Sequence, residues 1–76
     1  MTPHEQRLMN VLRVVPYKHY KSVEQISAVV FKDDFDPVLK QVRTFRTGEQ
    51  LDELEGMGLV DMCVIGKRKV YKRTRI

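Results

Sequence analysis

The chain has a single cysteine, no tryptophan, and no apolar run near the roughly 20 residues that a membrane-spanning helix needs. With only Cys63, an intramolecular disulfide framework is excluded, and a small strand residue is a better account of it than a nucleophile, since no neighbour supplies a base. The two histidines, His4 and His19, are fifteen residues apart and have no cysteine or carboxylate at zinc-site spacing. Asp33, Asp34 and Asp36 resemble half of a calcium loop, but the glycine and the distal glutamate are missing at their spacings, so a solvated turn accounts for them better. There is no Gly-rich phosphate loop, dinucleotide fingerprint or Gly-x-Ser-x-Gly elbow. Catalysis, a bound metal and a cofactor therefore have no support, and a non-enzyme is expected.

What is present suits one small domain spanning residues 1–76. A chain of 76 residues buries only roughly 60–65% of its unfolded surface, too little for two cores. With 42% hydrophobic residues and no low-complexity tract, it reads as globular rather than disordered. The net charge of +4 conceals an asymmetry. Met1 to Val38 balances five basic against five acidic side chains, whereas Cys63 to Ile76 holds six basic ones and no acid. A bland solvated surface mixes its signs, so this block is expected to meet a polyanion. The opening Met1-Thr-Pro-His-Glu5 reads as a helix start rather than a signal peptide, which leads to an intracellular, cytoplasmic expectation with no membrane partner.

Local signals order the chain. Thr2-Pro3-His4-Glu5 offers a capping box, and Leu8, Val11, Leu12 and Val15 follow at i, i+3, i+4, i+7, predicting a first helix that stops near Val15 because Pro16 disfavours helical geometry in the residue before it. Tyr17 to Lys21 is a connector or short strand. Ser22-Val-Glu-Gln25 is a second capping box, opening a helix whose inward face is Val23, Ile26 and Val30; Lys32 to Asp36 then reads as a turn. Asp36-Pro37 starts a third helix.

The third helix carries two apolar stripes of conflicting phase. At about 100° per residue, Val38/Val42/Phe45 point nearly opposite to Leu51/Leu54, so one straight helix cannot bury both. Either it breaks or one stripe lies on a surface. Gly48 and the capping-box pattern Thr47-Gly-Glu-Gln50 favour a break or kink near Arg46 to Gly48. Gly56 and Gly58 supply the stop, with Leu59 as the apolar residue beyond it. From Leu59 to Thr74 the pattern alternates around Gly66-Lys67, predicting a β-hairpin with Val64 and Val70 as cross-strand partners on the core face.

This order, with Leu51-x-x-Leu54-x-x-x-Gly58-Leu59-Val60 and a basic hairpin, resembles the winged helix-turn-helix superfamily over nearly the whole chain. The resemblance implies an α+β, mostly helical fold: three to four helices followed by a C-terminal β-hairpin wing. It also implies a double-stranded DNA-binding transcriptional regulator of the small type found in phages, plasmids and prokaryotes. In such domains the third helix enters the major groove by its N-terminal half and the wing lies along the backbone. Carried over, the groove-facing candidates are Lys40, Arg43, Thr44, Arg46, Thr47 and Gln50, and the wing candidates are Lys67, Arg68, Lys69, Lys72 and Arg73. An aromatic in the second wing strand that packs on the first helix is matched by Tyr71.

The residue chemistry suits these roles unequally. Cations at a hairpin tip reach phosphates without crowding, and Arg43 or Arg46 can donate bidentately to a guanine edge. Thr47 is better explained as a helix cap than as a base contact. Tyr17, Tyr20 and Tyr71 can stack on bases, though packing is the simpler role. Glu49, Asp52, Glu53 and Glu55 would repel phosphates if they faced DNA. They either sit on a flank or, in the alternative reading, join Val38, Val42 and Phe45 in a protein-interaction module that binds a protein partner or a second copy of the chain.

Overall fold

The computed structural model describes residues 1–32 and 36–74. The expected turn over 32–36, with Asp33 and Asp34, lies mostly outside these residues.

The order is α1 (Pro3–Val14), β1 (Lys21–Ser22), α2 (Val23–Val30), α3 (Pro37–Gly56), β2 (Val60–Ile65) and β3 (Arg68–Arg73). Among the described residues the result is a small α+β domain of three helices and one antiparallel sheet in the order β1-β3-β2. Each helix starts where its local chemistry directs. The Glu5 amide donates to Thr2 Oγ1 at 3.2 Å while the Thr2 amide donates to Glu5 Oε1 at 3.4 Å. The Ser22/Gln25 box repeats this at 3.3 and 3.0 Å, and Asp36 Oδ1 accepts from the Val38 amide at 2.9 Å. Each cap satisfies amides that the first helical turn leaves orphaned.

The core collects Leu8, Val11, Leu12 and Val15 with Ile26, Leu51, Leu54, Val60 and Tyr71. All four apolar positions predicted for the first helix are buried there, and so are both leucines of α3. The end of α3 is a Schellman motif: the Leu59 amide donates to the Leu54 carbonyl at 3.0 Å and the Gly58 amide to that of Glu55 at 2.9 Å. That closure needs the φ of +78° at Gly58, open to glycine at little cost.

Two expectations are overturned. The third helix does not break in two but runs unbroken for 20 residues. Thr47 is not a cap; it is fully buried in the helix interior, and its hydroxyl donates to the Arg43 carbonyl at 2.8 Å. That back-bond satisfies the one polar group which would otherwise oppose burial, so Thr47, Leu51 and Leu54 bury one continuous face. This packing outweighs the cost of about 1 kcal/mol for Gly48 in a helix interior. The other stripe is therefore left outside, with Val38 78%, Val42 47% and Phe45 69% exposed.

The second correction is the hairpin register. Val64 pairs with Lys69, and Val70 with Cys63 and, on its other edge, with Ser22 of β1. The tight turn holds only Gly66 and Lys67, Gly66 having a φ of +66°, and a two-residue loop fixes Ile65 opposite Arg68. Pairing Val64 with Val70 would need one more loop residue. With that residue absent, alternation puts the two valines on opposite faces and leaves Val64 57% exposed.

Candidate nucleic-acid interface

The predicted groove-facing residues do not form one surface. Lys40, Arg43 and Thr44 line a shallow depression between α2 and α3, facing Ser27, Ala28 and Phe31. The Arg43 guanidinium lies 5.5 Å above the Phe31 ring, and the Thr44 hydroxyl donates to the Lys40 carbonyl at 2.9 Å. Arg46 is exposed and Gln50 half-buried; both border a second depression, with Arg7 and Asn10 of α1. Thr47, inside the core, belongs to no surface.

The side of α3 opposite Thr47, Leu51 and Leu54 carries Val38, Val42, Phe45 and Glu49, with Gln41 and Arg46 as its two flanks. All six are exposed. Gln41 was not among the predicted contacts. Helical phase measured from Leu51 and Leu54 would have found it, had the helix been taken as straight.

The acidic half of α3 is engaged by its own domain. His4 Nε2 lies 2.9 Å from both Glu53 carboxylate oxygens, the Tyr71 hydroxyl donates to Asp52 Oδ1 at 2.7 Å, and Lys69 Nζ is 4.0 Å from Asp52 Oδ2. Burial first, then the bond to Asp52, pushes the Tyr71 phenol well above the usual tyrosine range. Sequence reasoning had no signal for these long-range partners.

The hairpin cations divide into two groups. Lys67, Arg68 and Lys69 are exposed at the tip, where β2 and β3 turn. Lys72 is half-buried, its ammonium 4.9 Å above the Tyr20 ring. Arg73 serves the fold: its guanidinium donates to the Leu12 carbonyl, in the last turn of α1, and to the Tyr17 hydroxyl, and it stacks 4.6 Å above the Tyr17 ring. A cation there also opposes the negative end of the helix dipole. Of the five wing candidates, Lys67 and Arg68 stand at the tip, Lys69 beside them reaches back to Asp52, and Tyr20 and Tyr17 hold Lys72 and Arg73.

Neither a family model nor a curated protein or solved structure matches the chain. Among the described residues no group of three or more His, Cys, Asp or Glu side chains converges on a point, and no helix is long and apolar enough to cross a membrane. The arrangement offers positive charge in the first half of α3 and at a projecting hairpin tip.

Proposed function

We propose that the chain is a winged helix-turn-helix domain that binds double-stranded DNA, acting as a small intracellular transcriptional regulator of prokaryotic or phage type, with α3 in the major groove and the β2–β3 hairpin on the backbone. The observation that carries this reading is the separation of charge along α3. From Pro37 to Gly48 the helix has three cations and no acid, and beyond Gly48 two of its four acids, Asp52 and Glu53, are held by Tyr71, Lys69 and His4. The acids on this helix thus weigh less against a DNA approach by its first half than their number implies.

Anisotropy titration against random duplex at two salt concentrations tests the proposal. Replacing Lys67, Arg68 and Lys69 by Ala is expected to weaken binding to all sequences alike and to flatten the log K against log salt slope by up to about 0.9 per lost phosphate contact. An unchanged slope would remove the hairpin from the interface. The exposed Val38/Val42/Phe45 stripe favours a second reading, in which the domain captures a protein. There the same titration gives no salt-dependent duplex binding.

A further inference from the structure

We propose that the domain pairs with a second copy of itself through the free edge of β2, the two β2 strands running antiparallel across a twofold axis at Cys63. Among the described residues, the sheet order β1-β3-β2 gives β2 a neighbour on one side only. Ile65 and Arg68 flank a two-residue turn, so they exchange main-chain bonds, and alternation directs the amides and carbonyls of Cys63 and Asp61 toward β3 as well. Two bonds at the base of the hairpin fix the same phase. The Thr74 amide donates to the Leu59 carbonyl, while the Arg73 amide, opposite Val60, turns away to the Pro16 carbonyl. The main-chain groups of Val60, Met62 and Val64 therefore point out of the sheet. Val60 is buried, but Met62 and Val64 are exposed, which leaves two positions open to a further strand.

A strand edge is a template for pairing unless something blunts it. This one has no proline, lysine or bulge, since β2 and β3 pair one for one from Val60 to Ile65, and its single charge is Asp61. Only one antiparallel register joins both open positions of one copy to both of the other: Met62 with Val64 and Val64 with Met62, four main-chain bonds in all. It also matches the side chains. Met62 and Val64 lie on the face of β2 that Tyr71 occupies on β3, and in this register the exposed apolar surface of each is set against the other. Charge selects a second copy in the antiparallel sense. At its start β2 carries Asp61 and directly follows Glu55, in a last turn of α3 that has no cation; at its far end it runs into Lys67 and Arg68, with no acid. The twofold brings the cationic end of each copy to the acidic end of the other, with Ile65 opposite Asp61. Lys72, the cation paired with Asp61 on β3, lies on the side away from this edge and over Tyr20. The pairing does not rest on the DNA reading; because Lys67 and Arg68 enter both, a duplex and a second copy compete for the hairpin.

Sedimentation of the intact, reduced protein over a concentration series tests the pairing, and a reversible monomer–dimer equilibrium is expected. Val64→Pro removes an amide that bonds nothing in its own sheet, so the fold is kept while two of the four bonds are lost. The dimer dissociation constant should rise about 30-fold. Met62→Lys, which sets a charge on the edge, should disperse the dimer too, and it carries the test if circular dichroism shows the proline variant unfolded. The register has its own readout. Cys63 of one copy stands opposite Cys63 of the other in a non-bonded pair, whose Cα atoms lie about 4.5 Å apart and within disulfide range, so diamide should make the dimer covalent. A monomer at every concentration would overturn the proposal. So would a dimer indifferent to both substitutions, which would be held by another face such as Val38, Val42 and Phe45, and so would a dimer whose Cys63 thiols diamide leaves unlinked.

Discussion

The two halves of α3 each carry an apolar stripe and do different things with it. From Thr47 to Gly56 the helix is part of the fold, with Thr47, Leu51 and Leu54 fully buried and with Asp52 and Glu53 tied to Tyr71 and His4. From Pro37 to Arg46 it carries its apolar stripe in solvent, joined to the domain chiefly along the side that faces α2. One half anchors and the other is presented. An apolar residue on a helix therefore does not mark the core until its phase relative to a known core position is fixed.

The largest contrast is expected between two apolar truncations on this one helix. Leu54→Ala should leave a cavity and cost roughly 2–5 kcal/mol in denaturant unfolding, whereas Val38→Ala should stay within about 0.5 kcal/mol of the parent. Similar losses at both would show that the stripe is packed and the division of α3 is wrong. A smaller contrast separates the two arginines of the presented half. Arg46→Ala should cost roughly 1–3 kcal/mol at a specific DNA site, and Arg43→Ala less, because Arg43 lies over Phe31 on the side facing α2. Isothermal titration of the two variants against a selected site decides the order.

The anchoring half can be probed through Tyr71. Tyr71→Phe removes the bond to Asp52 and should cost about 1 kcal/mol, since the carboxylate left behind is solvated. Because the phenol is raised above its unfolded value of about 10, its neutral form contributes stability that is present below that pH and is lost as pH rises above it toward the folded value. The gap between parent and Tyr71→Phe should thus narrow above about pH 10 and be constant below it, which urea unfolding at several pH values checks. The smallest effect is expected where the halves join. A Cβ on Gly48 would meet nothing nearer than Val23 Cγ1 at 3.6 Å, an ordinary contact, so Gly48→Ala should stabilise by about 0.5–1 kcal/mol. Destabilisation would mean that the helix needs a flexible joint there.

Signals that act within one turn of chain were legible. Both capping boxes, the Asp36-Pro37 start, the stop at Gly58 and the turn at Gly66 each depend on residues at most five apart, and each is found where the sequence puts it. The continuity of α3 was not legible, because Gly48 and Thr47-x-x-Gln50 imitate a helix start and only packing against the rest of the domain decides that they are interior. The strand register failed by one residue for a related reason: alternation fits either pairing, and the loop length selects between them. In the candidate site, charge counting identified the tip cations but could not distinguish them from Arg73, whose partner Leu12 lies 61 positions earlier. Pairings of that range, like His4 with Glu53, leave no periodic trace in a single sequence.

The anchoring of the hairpin at its base bears on how the domain can diverge. Arg73 is held to α1, its amide donates to the Pro16 carbonyl, and Thr74 is bonded to Gly58 and Leu59, while Gly66 and Lys67 at the turn are exposed. Residues inserted in pairs on each side of the turn would keep every side chain at the base on its present face, and would lengthen the ribbon by about 3.3 Å for each residue added per strand. The reach of the tip is thus a dimension that insertion or deletion can tune, while the residues that keep the domain folded stay in register.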